Sequence, residues 1–138
     1  MNENIKTAKN IILTGFLPDS EVPGLMANAK AYVLPSLYEG FGIPAIEAMA
    51  CGTPVIVSRI SSLPEICGKA ATYIEDPYDV NSIKTALEKG LKSDKTKLGL
   101  EWVKRYNWEE TCLKINTVLT QSRSGYTQSY QQAQKLLA

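Results

Sequence analysis

Two glutamates with seven residues between them bracket a glycine-bearing turn, in the segment Glu39-Gly-Phe-Gly-Ile-Pro-Ala-Ile-Glu47. Gly40 and Gly42 let the backbone come close to a ligand. The stretch from Pro44 to Cys51 reads as a helix that stops at Gly52. The N–H groups from about Ile43 to Ile46 therefore open that helix without intrahelical partners, and they can hold an anion such as a diphosphate. Pro44 supplies no donor but presets the helical backbone. An ionised carboxylate accepts hydrogen bonds, cannot donate them, and repels phosphate. Two glutamates beside an anion site thus suit a diol at each end of a diphosphate, which describes a nucleotide-sugar. On residue types alone a second reading stands beside this one. Glu47 could complement the helix dipole, worth roughly 0.3–1 kcal/mol, and Glu39 could be solvated.

The elements that would carry this turn alternate. Asn10 to Gly15 is a short apolar run closed by glycine and reads as a buried strand. Ser20 to Lys30 places Val22, Leu25, Met26 and Ala29 at helical spacing, with Asp19 or Ser20 to cap it and Pro23 in the first turn. Ala31 to Pro35 is a second strand, and the glycine turn and the Pro44–Cys51 helix follow. Pro54 to Ser58 is a third strand, almost wholly apolar, as when both sheet faces are covered. Ala71 to Ile74 is a fourth. Asp79 to Lys92 is amphipathic through Val80, Ile83, Leu87 and Leu91, and Leu98 to Tyr106 and Trp108 to Leu119 are further helices. Strands alternating with helices at these intervals predict an α/β, Rossmann-like parallel sheet with helices on both faces. Ligands of such sheets sit beyond the carboxyl ends of the strands, where the glycine turn falls. Residues 1–120 form the domain, and 121–138, polar and poor in large aliphatics, form a tail or a helix.

Composition narrows the function. With 138 residues, a net charge of +1 and no apolar run near the ~20 residues of a membrane span, the chain suits one domain without a broad nucleic-acid face. Met1 to Asn10 is polar and charged, unlike a secretory leader. Cys51, Cys67 and Cys112 are widely spaced and the chain has no histidine, so they read as buried thiols of a reducing cytoplasm, with no metal cluster. Histidine-based acid/base chemistry from this chain is excluded. No G-x-G-x-x-G follows a strand, which weighs against a dinucleotide-dependent oxidoreductase.

Glu39 and Glu47 stand in the E-x7-E spacing of family-four retaining glycosyltransferases, and the surrounding residues extend the match. Leu13-Thr-Gly-Phe-Leu17 precedes it; Gly52-Thr-Pro-Val-Ile56, Ser61-Ser-Leu-Pro-Glu-Ile66 and Gly68-Lys-Ala-Ala71 follow; Tyr106-Asn-Trp108 resembles the family's Phe/Tyr-x-Trp. The chain thus resembles part of the C-terminal, donor-binding domain of a GT-B enzyme. The resemblance implies that Glu39 lies by the transferred sugar as the catalytic carboxylate and that Glu47 holds the ribose diol. It further implies that the amides of Gly40, Phe41, Gly42 and Ile43 face sugar and phosphates, while Phe16 and Leu17 border the base. Arg59 and Glu65 are weaker candidates near the end of the third strand.

The same resemblance implies what is not in this sequence. It expects an acceptor domain for a glycan or lipid, and an arginine and a lysine that neutralise the diphosphate. Between Ile11 and Ile83 the cations are Lys30, Arg59 and Lys69, and none fits that pair. The expectation is a donor-binding part of a sugar transferase that uses a nucleoside diphosphate sugar, needs no cofactor or metal, and is inactive alone. The alternative is a non-catalytic nucleotide-sugar-binding or interaction module on the same fold. Either would be cytoplasmic, with peripheral membrane association open for a parent protein. Either could self-associate through a sheet edge or the C-terminal segment.

Overall fold

The computed structural model describes residues 9–121, which fall into two compact units dividing after Val103. In the first unit three parallel strands, β1 (Tyr32–Leu34), β2 (Val55–Ser58) and β3 (Ala71–Ile74), lie in the order β1-β2-β3. Val33 pairs with Ile56, and Ile56 with Thr72. Five helices accompany them: α1 (Val22–Ala27), α2 (Ile43–Ala50), α3 (Leu63–Cys67), α4 (Val80–Lys92) and α5 (Thr96–Val103), with a 3-10 turn over Gly68–Ala70. The expected α/β arrangement is present.

β2 is the centre of the sheet, and every one of its residues is buried. Its apolar run is long enough to face helices on both sides, and alternation sends successive residues to opposite faces. Ile56 packs with Ile74 and with Ala86 of α4, and Ile83 and Leu87 close around them. Val55 and Val57 turn to the other face, on which α2 packs. Burying each such side chain contributes about 1.5–3 kcal/mol. α4 starts where Asp79 accepts hydrogen bonds from the amides of Asn81 (3.0 Å) and Ser82 (3.1 Å), an N-cap that satisfies two otherwise orphaned donors.

Several expectations need correction. Asn10 to Gly15 forms no strand: it is irregular, and Ile12 is 87% exposed. A strand needs a hydrogen-bonding neighbour, and this segment joins none of the three. The first helix covers only Val22–Ala27; Glu21 takes the N-cap position without a side-chain bond, so neither Asp19 nor Ser20 caps it. Only Met26 of its apolar residues is buried. The helix expected over Leu98–Tyr106 begins earlier and ends at Val103. Of the cysteines, Cys67 is buried, Cys51 is half-buried and Cys112 is exposed.

The second unit carries a helix, α6, described over 108–121. Asn107 begins it by accepting from the amide of Glu110 at 2.7 Å, an N-cap on the third turn residue. Lys114 and Glu110 form an i,i+4 ion pair at 2.7 Å. The tail expected beyond Gln121 lies outside the described residues.

Candidate functional site

The turn from Pro35 to Gly42 leaves the carboxyl end of β1 and delivers the chain to α2. Gly42 sits at the N-cap of α2 with φ 96°, a left-handed conformation that a side chain resists. It is also packed: a Cβ there would stand 2.6 Å from Leu63 Cδ2. At Gly40 the same Cβ would meet open space, so its role is freedom of approach rather than packing. Pro44 occupies the first turn of α2, as expected. Glu39, Gly40, Phe41, Gly42, Ile43 and Glu47 therefore share one turn and the helix it opens. Phe16 and Leu17 stand in the irregular stretch before α1, Phe16 being 92% exposed.

The Glu39 carboxylate is half-buried, and Ser36 Oγ donates to its Oε1 at 2.7 Å. Glu47 lies in the second turn of α2 with its side chain exposed. Burial pushes the Tyr32 phenol above its ordinary range, and the charges of Glu39 and Glu47 push it further in the same direction. One phenol at the start of β1 therefore senses both carboxylates.

The main chain of the turn is held from the loop after β2. Ser61 Oγ accepts from the Glu39 amide (3.0 Å) and donates to the Glu39 carbonyl (3.0 Å). Ser62 Oγ lies 3.0 Å from the same carbonyl and 3.1 Å from that of Phe41. Sequence reasoning missed Ser36, Tyr32 and this serine pair as parts of the site. Ser62-Leu-Pro-Glu65 reads locally as a capping box, a signal for a helix start and not for a distant contact.

Arg59 is engaged elsewhere. Its Nε donates to Glu75 Oε2 at 2.6 Å, and its guanidinium lies 4.1 Å above the Tyr73 ring. Glu65 lies exposed in the first turn of α3. Lys95 Nζ donates to the carbonyls of Lys69 (3.1 Å) and Ala71 (2.5 Å), a structural use of a cation. A cleft of about 330 Å³ opens elsewhere, between Tyr73 and Glu75 on one side and Asp79, Ser82 and Lys89 along α4 on the other. Its carboxylates are committed, Asp79 to the helix cap and Glu75 to Arg59, so it offers less chemistry than the Glu39 turn. Among the described residues no group of side chains is arranged to hold a metal ion, and no helix is long and apolar enough to cross a membrane.

Residues 1–104 match the family described as Glycosyl transferases group 1. The chain belongs to that family. Among curated members, O-antigen chain mannosyltransferase B of Escherichia coli is 43% identical over 100 residues, covering 69% of this chain and 26% of that protein. An MMP alpha-(1->4)-mannosyltransferase of Mycolicibacterium hassiacum is 43% identical over 79 residues, covering 56% of this chain and 19% of the relative. A GDP-mannose-dependent alpha-(1-6)-phosphatidylinositol dimannoside mannosyltransferase of Mycobacterium tuberculosis is 46% identical over 65 residues, 46% of this chain and 17% of that enzyme. Among solved structures, sucrose-phosphate synthase from Thermosynechococcus elongatus superposes with a TM-score of 0.77 at 28% identity, over 89% of this chain and 33% of its own. The fold is that of a GT-B glycosyltransferase, and the chain spans about a quarter or less of these curated relatives.

Proposed function

We propose that this chain is the donor-binding part of a retaining glycosyltransferase, taking a nucleoside diphosphate sugar without a metal. One observation carries the reading: a glycine turn enters the N-terminus of α2 with a carboxylate on each side, Glu39 held by Ser36 and Glu47 one turn along the helix. The helix N-terminus attracts the diphosphate. Glu47 accepts from the ribose diol, the amides of Gly40 to Ile43 face sugar and phosphates, and Glu39 accepts from hydroxyls of the transferred sugar. Glu39 also favours the positive charge that develops as the glycosidic bond breaks. Phe16 and Leu17 keep their assignment to the base edge. The names of the relatives favour mannose as the sugar and a guanosine donor. An acceptor glycan or lipid is bound by a separate domain, and the protein works in the cytoplasm.

Transfer by the isolated chain is not expected. Stabilising the leaving diphosphate is a large catalytic term. Arg59 is spent on Glu75 and Lys95 on main-chain carbonyls. The proposal includes self-association through a sheet edge or the C-terminal segment, supported by the edge position of β1 among the described strands. Calorimetry with GDP, UDP and ADP, together with a donor-hydrolysis assay, tests the reading. Weak binding of one nucleotide with no turnover is expected; no binding of any, or measurable turnover, contradicts it. Light scattering over a tenfold concentration range tests the association.

A further inference from the structure

Ser61 and Ser62 each depart from a local preference. Ser61 has φ 43°, the positive-φ non-glycine residue among those described. That region brings Cβ against the following carbonyl and is disfavoured for any side chain. Ser62 holds the N-cap position of α3, where a serine hydroxyl ordinarily accepts from an amide of the first turn, yet it makes no such bond. Both hydroxyls instead reach back more than twenty positions along the chain, to the turn that follows β1.

What they hold there is specific. Ser61 closes on the Glu39 amide and carbonyl together, and Ser62 on the carbonyls of Glu39 and Phe41. The held carbonyls flank Gly40, which has open space around it and the widest conformational freedom of any residue type. Without those bonds the main chain between Glu39 and Gly42 would sample many conformations, and each adds to the entropy lost when a ligand is bound. Backbone strain and an unused cap, in adjacent residues, converge on one turn.

We infer that Ser61 and Ser62 are positioning residues for the donor site, holding Glu39 and the Gly40–Gly42 main chain in the shape that meets the sugar and its phosphates. The inference rests on the donor-binding reading proposed above. Neither serine touches the reacting atoms; both act through the turn.

The test uses the 138-residue chain, amide hydrogen exchange, and NMR titration with GDP-mannose, UDP-glucose and ADP-glucose. Four proteins are compared: wild type, Ser61→Gly, Ser62→Ala and Ser62→Thr. Ser61→Gly removes the hydroxyl while relieving the backbone strain, so it carries the test if Ser62→Ala unfolds. Exchange at Glu39 to Gly42 should quicken about tenfold in Ser61→Gly and Ser62→Ala, while the amides of β2 and β3 keep their protection. Affinity for the donor that wild type binds should fall about three- to tenfold, and Ser62→Thr, which keeps the hydroxyl, should stay near wild type. Unchanged exchange and affinity in the first two variants would overturn the inference, as would a Ser62→Thr protein as impaired as Ser62→Ala. Failure of the donor reading itself is seen in the wild type alone, which would then bind none of the three sugars.

Discussion

Gly42 and Leu63 meet so closely that a Cβ on the glycine would lie 2.6 Å from the leucine Cδ2. Leu63 opens α3 and is fully buried, so it cannot swing into solvent. Gly42→Ala therefore combines a left-handed backbone strain of about 1–3 kcal/mol with an overpacking cost of about 1–3 kcal/mol. Urea unfolding should show a loss in the range of these two together. Combining it with Leu63→Ala should recover the overpacking part and leave the backbone part, a coupling that a double-mutant cycle measures. Strict additivity would show that the contact is not what the glycine serves.

Gly90 poses the same question with propensity on the other side. It lies inside α4, where glycine costs about 1 kcal/mol against alanine, so propensity alone predicts that Gly90→Ala stabilises. A Cβ there would approach Ile56 Cδ1 to 2.5 Å and Cγ1 to 2.6 Å, in the middle of the core. Overpacking of about 1–3 kcal/mol outweighs the propensity gain, and the expected sign is destabilising. Ile56→Val beside it should restore part of the loss, read from the urea midpoint.

The two glutamates should separate by role. Glu47→Ala is expected to weaken nucleoside diphosphate binding by about 1–3 kcal/mol, the range for hydrogen bonds to a charged group. Glu39→Ala should leave that binding near wild type and instead weaken binding of the intact nucleotide-sugar. Titrating both variants with GDP and with GDP-mannose decides this, and identical profiles would contradict the assignment.

Stability should fall in alkali for an identifiable reason. Burial pushes the Cys67 thiol from 9.0 up to about 11 and the Tyr73 phenol from 10.0 up to about 12, with the Cys67 charge adding to the latter and Arg59 opposing it. The unfolded chain then releases these protons at lower pH than the native one. Above about pH 9 the native state holds more protons than the unfolded state, so stability declines as pH rises, through the folded values. Urea midpoints should drop steadily between pH 9 and 11, and Cys67→Ala should flatten the first part of that decline. At pH 8 alkylation should modify exposed Cys112 well before Cys67, which mass spectrometry of peptides would resolve.

Much of the turn between β1 and α2 was legible along the chain because its determinants are local. The apolar run of β2, the glycines of the turn, Pro44 in the first turn of α2 and the Asp79 cap act within a few residues, so residue types predict them directly. The Glu39–Glu47 spacing puts one carboxylate before the turn into α2 and the other in the second turn of that helix for the same reason. Contacts between distant segments were not legible. Ile11 to Leu13 has the composition of a strand, but a strand exists only when a neighbour satisfies its backbone, and none of β1, β2 or β3 does so. Arg59 could have faced a ligand until the sheet brought Glu75 and Tyr73 beside it. Ser62-Leu-Pro-Glu65 has the spacing of a cap, and only the approach of the β2–α3 loop to the β1–α2 turn gives the Ser62 hydroxyl other acceptors. Local sequence specifies what a residue can bond to, and the parallel register of β1 and β2 decides which partners arrive.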